Sequence, residues 1–112
     1  MSEQLIVRVC DAVFGGPAAG VPVRVEVDTE NGWETAARGA TAEDGGWLGP
    51  PQSHLPTGSY RVVLNVGAYF AGLGMYSRIG ELSIGFPPAA QAGTPCLDAV
   101  LAPFGSAAYV AD

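Results

Sequence analysis

Lysine is absent from this 112-residue chain: its five basic residues are all Arg, they face eleven acids, and the net charge is −6. A chain so poor in cations builds no basic patch, which excludes nucleic acid and anionic membrane surfaces as expected partners. Histidine occurs once, as His54, so a His-based metal cage is excluded. Cys10 and Cys96 are the only cysteines, too few for a disulfide framework or a zinc site. No metal and no cofactor are therefore expected. Apolar runs fall well short of the roughly 20 residues that span a bilayer. Residues Met1 to Gln4 carry an acid and no basic cluster, unlike a secretory leader. The expected compartment is the cytoplasm, with both thiols reduced.

Charged residues make up only 14% of the chain, but 48% is apolar, which excludes a disordered polymer. The length leaves room for one core, so residues 1–112 are expected to form a single domain. Sixteen Gly and nine Pro are spread among Val-rich segments, a pattern of strands and tight turns.

Strand patterns follow in order. Leu5 to Val9 is apolar except for Arg8 and reads as buried on both faces. Val21 to Val27 alternates, with Val at every second position. Asn31-Gly32 predicts a hairpin turn into a strand over Trp33–Arg38, and Glu43 to Gly46 reads as another turn. Gly49 to Gly58, with three Pro and the single His, reads as a loop. Ser59–Val66, Glu81–Phe86, Cys96–Leu101 and Ala107–Ala111 complete the strands. Pro87-Pro88 stops one of them, and Ala89 to Gly93 reads as a small-residue loop. Tyr69, Phe70 and Leu73 have helical spacing within Gly67–Gly74, the one predicted helix. Seven or eight short strands with one helix predict an all-β antiparallel sandwich.

Five stretches carry a family resemblance. Leu5 to Asp11, followed by Gly16-Pro17-Ala18-Ala19-Gly20-Val21-Pro22-Val23, resembles the opening of the transthyretin and hydroxyisourate hydrolase family. Thr41 to Gly45 resembles its Thr-x-x-(Asp/Ser)-Gly turn, and Gly58-x-Tyr60-Arg61-Val62 its next strand. Gly67-Ala68-Tyr69-Phe70 resembles the start of its single helix, and Leu101 to Gly105 its Pro-containing corner. The resemblance implies a transthyretin-like Greek-key β-sandwich of two four-stranded sheets. It also implies a homotetramer, a dimer of dimers, with a channel lined by the first strand and the last two. A poorly protected Ala/Val-rich last strand is compatible with an interface there.

The same resemblance locates a site, and there this sequence departs from the hydrolase pattern. The first-strand His falls on Arg8, the Arg of the turn on Gly46, and the penultimate-strand His on Cys96. The C-terminal Tyr-Arg-Gly-Ser falls on Tyr109-Val110-Ala111-Asp112, of which only Tyr109 matches. The family's ring-opening mechanism is therefore not expected. Asp98 stands where the hydrolases carry an apolar residue or Pro, and an acid in an apolar strand needs a partner or a task. It has two readings: an ion-pair partner of Arg8, or a general acid or base. Cys96 has two as well: a small buried hydrophobe, or a nucleophile. Arg8, Asp98, Tyr109 and Cys96 are the candidate catalytic residues for a small-molecule substrate. Cys10, Val100, Ala107 and Trp47 are the candidate channel lining.

Overall fold

A computed structural model describes residues 4–51, 59–86 and 96–111; the side chains of Tyr109 and Ala111 are outside that description. His54, Pro87-Pro88 and the predicted loop Ala89–Gly93 also lie outside the described residues. Two sheets pack face to face. The first contains β1 (Gln4–Asp11), β2 (Gly16–Pro17), β5 (Gly46–Pro51), β8 (Cys96–Leu101) and β9 (Ala107–Ala111). The second has the order β4 (Gly32–Ala40), β3 (Pro22–Thr29), β6 (Tyr60–Leu64), β7 (Leu82–Phe86). One short helix, α1 (Val66–Gly72), joins β6 to β7. In the first sheet β2 and β5 share one side of β1, β2 against Cys10–Asp11 and β5 against Gln4–Arg8, so the sheet is four strands wide.

Most neighbours run antiparallel, but β1 and β8 run parallel, with Arg8 level with Asp98 and Cys10 level with Val100. Strand alternation then sorts the side chains. Leu5, Val7, Val9, Leu97, Ala99 and Leu101 point inward and are fully or almost fully buried. They meet Val21, Val23, Val25, Val27, Tyr60, Val62 and Leu64 of the facing sheet and its approach. Tyr60 and Phe86 lie opposite each other on β6 and β7 and stack at 4.9 Å between centroids. Phe70 of α1 is fully buried in the same core.

Two expectations are corrected. Strand β1 is buried on one face only: Arg8 and Cys10 are exposed and Ile6 is half-buried, because nothing in the described chain covers that side. The expected loop over Gly49–Gly58 begins instead as part of β5, since Gly46–Pro51 pairs with β1. Gly49 and Pro50 form a bulge opposite Leu5, between the Gln4–Pro51 and Ile6–Leu48 pairs. A strand carrying two Pro is tolerated at a sheet edge, where missing N–H donors cost no ladder bond.

The Thr41–Gly45 turn holds the first strand in place. Gly45 accepts the Val9 N–H through its carbonyl at 2.8 Å, and Thr41 Oγ1 accepts from Val21 N while donating to Ala18 O. Gly45 has φ +80°, and a Cβ there would run into the Val9 carbonyl, so both backbone shape and space require Gly. At the far end of β1, buried Asp11 accepts from Val13 N (2.7 Å) and Phe14 N (3.2 Å) with Oδ1. Its Oδ2 accepts from the Tyr69 hydroxyl at 2.6 Å, tying α1 to the turn that leaves β1. Burial and this bond push the Tyr69 phenol up to about 12. Asn65 caps α1 by accepting from Ala68 N at 3.0 Å.

Candidate functional site

The open face of the first sheet gathers the polar candidates. Strand register places Ile6, Arg8 and Cys10 of β1 beside Cys96, Asp98 and Val100 of β8 in turn. It places Asp98 opposite Tyr109 and Val100 opposite Ala107 on β9. Arg8 Nε donates to Asp98 Oδ1 at 3.0 Å, and Nη2 donates to Asp98 Oδ2 at 3.3 Å. The same Nη2 donates to Cys96 Sγ at 3.0 Å, and the Cys96 thiol lies 4.0 Å from Asp98 Oδ2. One guanidinium thus joins a carboxylate and a thiol contributed by residues about 90 positions away in sequence. The Asp98 hydrogen bonds above all, and then Cys96, raise the Arg8 pKa further above its ordinary range.

Exposure differs across the cluster. The Arg8 side chain is 60% accessible and Asp98 only 23%, so the acid lies recessed while the guanidinium reaches outward. Cys96 is buried. Cys10, Val100 and Ala107 are exposed and rim the cluster on one side. Ile6 and exposed Leu48, paired across β1 and β5, rim it on the other; sequence patterning did not select either. Only the β1–β5 register reveals Leu48, because β5 itself lacks a strand-like sequence.

Trp47 pairs with inward-facing Val7 and packs against the core, a strand position that alternates with the open face. Its indole fills a slot between Gly39 and Gly49: a Cβ at Gly39 would collide with the ring, and one at Gly49 would crowd both the ring and Leu5. Trp47 reaches the exterior as a wall of a groove of about 570 Å³ at the β5 edge, which Arg8, Asp44, Ile6 and Leu48 also line.

The positions at which the resemblance locates the hydrolase's catalytic set converge here. Gly46 pairs directly with Arg8, Cys96 touches it, and Tyr109 lies opposite the Asp98 that Arg8 holds. Of these four positions only Tyr109 carries the residue type that the resemblance expects. Among the described residues, no three His, Cys, Asp or Glu side chains gather as a metal-ligand group. No helix among them is long and apolar enough to cross a membrane.

The two-sheet sandwich with its parallel first and penultimate strands defines a transthyretin-like domain. The family comparison agrees: the model of the HIUase/Transthyretin family matches residues 5–109, and the chain belongs to that family. A 5-hydroxyisourate hydrolase of Salmonella typhi is 34% identical over 87 residues, 76% of this chain and 63% of that protein. The 5-hydroxyisourate hydrolases of Salmonella dublin and Salmonella typhimurium are each 34% identical over 84 residues, 73% of this chain and 61% of theirs. The chain thus spans less than two thirds of the length of these curated relatives.

Proposed function

We propose that this chain is a diverged transthyretin-like enzyme that performs acid–base chemistry on a small cyclic or carbonyl compound. One observation carries the reading: Arg8 and Cys96, at the two positions where the resemblance expects catalytic His, are joined with Asp98 in one hydrogen-bonded cluster. A site that had merely decayed would not be expected to hold a recessed carboxylate, whose desolvation needs compensation. Asp98 is assigned as the general acid or base. Arg8 keeps N–H groups that its two partners do not use, and these stabilise a developing enolate or imide oxygen. Tyr109, at the register position opposite Asp98, is assigned as a second donor to that oxygen. Cys96 is a second proton-transfer group. A proton taken from carbon by Asp98 and returned at another atom gives isomerisation; departure of a hydroxyl group that Cys96 protonates to water gives dehydration; attack on a carbonyl by an internal nucleophile or by water, its proton taken by Asp98, gives cyclisation or hydrolysis.

The relatives are named as 5-hydroxyisourate hydrolases, but we expect no such activity here, because Arg8 and Cys96 stand where the family resemblance expects His. The proposed assembly is a dimer of dimers formed through the β9 edge and the open face, in the cytoplasm. Native mass spectrometry at four chain masses supports this assembly, and a monomer overturns it.

The test is incubation of the purified protein with a small-molecule extract from a host lacking the gene, followed by mass spectrometry. A compound consumed far beyond the molar amount of protein, with turnover reduced roughly 100-fold or more in Asp98→Asn, is the expected result. Full turnover in that variant removes the assignment. The apolar rim around a cation favours one second reading, a binding protein without turnover. It predicts depletion of one ligand per site and weaker binding in Arg8→Ala.

A further inference from the structure

We propose that the second sheet carries an anion site of its own, in a groove between Arg24, Arg38 and Asn65 on the opposite side of the sandwich from Arg8. The argument begins with charge. Three of the chain's five Arg residues, Arg24, Arg38 and Arg61, lie on strands of this sheet in a protein of net charge −6. Arg24 and Arg38 occupy directly opposite positions on β3 and β4. Like charges facing across an antiparallel pair repel; Glu26 and Glu81 already offset Arg24, which leaves the Arg38 guanidinium as the cation of the pair that an added anion would neutralise.

The neighbouring interactions sharpen the point. Arg24 is engaged on one side, donating from Nε to Glu26 and from both Nη atoms to Glu81. Arg61 is engaged by Glu26 and stacks over Trp33 at 4.1 Å. Arg38 makes no ion pair among the described residues. Asn65 commits Oδ1 to the Ala68 N–H, which points its Nδ2 donor elsewhere, with no protein acceptor for it among the described residues.

The groove they share has a volume of about 280 Å³ and is lined by Pro22, Val23, Arg24, Arg38, Gly39 and Asn65. Its polar side chains are two guanidinium groups and one carboxamide, and none of the six residues is an acid. Donors without acceptors select an oxyanion, a carboxylate or a phosphate, which the Arg38 fork takes through two oxygens while Asn65 Nδ2 takes a third contact. The volume suits a small anionic metabolite rather than a polymer.

The experiment is an NMR titration of the full chain with inorganic phosphate and, separately, acetate, holding ionic strength constant with chloride. The observed signals are the Gly39 backbone amide and the Asn65 side-chain amide, with Cys10 and Val100 as reporters on the Arg8 face. We expect shifts at Gly39 and Asn65 that saturate below about 10 mM for at least one anion, while Cys10 and Val100 stay still. The anion that saturates names the ligand's head group. Arg38→Gln should weaken binding at least about fivefold, since it removes a charge-assisted donor. Asn65→Asp keeps an oxygen to cap α1 but replaces the donor with a negative charge, so it should abolish saturation while thermal melting stays close to that of the original chain. Linear shifts throughout, equal affinity in both variants, or saturation only at Cys10 and Val100 overturns the proposal.

Discussion

Replacing Tyr69 by Phe removes one hydroxyl and tests how α1 is attached to the end of β1. The hydroxyl donates at 2.6 Å to Oδ2 of Asp11, a carboxylate buried to 2% accessibility. A hydrogen bond to a charged group contributes about 1.5–3 kcal/mol, and its loss leaves that oxygen without this partner. We expect Tyr69→Phe to cost about 2 kcal/mol, which corresponds to a fall in Tm of roughly 8–16 °C for a domain of this size. Asp11→Ala should cost more, about 3–4 kcal/mol, because Val13 N and Phe14 N lose their acceptor as well. Those two amides lie in an exposed turn and recover part of the loss through water. Urea denaturation of the two single variants and the double variant closes a thermodynamic cycle. The expected coupling is at least about 1 kcal/mol. A Tyr69→Phe cost below about 0.5 kcal/mol, or strictly additive variants, refutes the view that this bond anchors the helix. Alkali offers a second reading of the same bond. The folded phenol titrates at about 12, against 10.0 ordinarily. The unfolded chain therefore loses its proton first, and the stability from this group, complete below pH 10, is lost as pH rises towards about 12. Tyr69→Phe should flatten that decline.

Further outcomes follow from the rest of the structure. Phe70→Ala empties a fully buried site and should cost about 3–5 kcal/mol in urea denaturation. Gly39→Ala forces a Cβ against the Trp47 indole; about 1–3 kcal/mol of destabilisation and a change in Trp emission are expected. Arg24 first and Arg61 next hold the Glu26 carboxyl below its ordinary range, and Arg24 does the same for Glu81. Their stabilisation is present above the ordinary value of 4.5 and is lost as pH falls through the lower folded values, so Glu26→Gln should make the acid limb of the stability profile shallower.

The parts of this fold that follow strand periodicity were legible in the sequence. Alternating Val in β3, the turn at Asn31-Gly32 and the limits of β8 and β9 all follow from local pattern and turn chemistry. Strand β5 was not legible, because Gly46-Trp47-Leu48-Gly49-Pro50-Pro51 has the composition of a loop and becomes a strand only by pairing with β1. The facing of Trp47 depends on the same β5 register. Leu5–Val9 read as two-sided because Ile6 is apolar, and the open face shows only once the sheets are stacked. The pairing of Arg8 with Asp98 was legible only through the family resemblance together with alternation, since no local pattern spans such a distance, and the contact of Arg8 with Cys96 was not legible. The groove between Arg24 and Arg38 was illegible for the same reason: like charges come face to face only through the β3–β4 register.

The parallel pairing of β1 with β8 also bears on how the protein is made. Strand β1 leaves the ribosome before β8, its partner on one side, whose paired residues follow 90 positions later. At about 5–20 residues per second, the apolar stripe of Leu5, Val7 and Val9 waits for at least several seconds before that side of its sheet exists. High sequence separation between partners also slows the closing step itself. During synthesis the unfinished chain is therefore sticky and lacks the Arg8 cluster. A chain interrupted before Cys96 leaves behind β1 with one edge open, a substrate for chaperones and proteases.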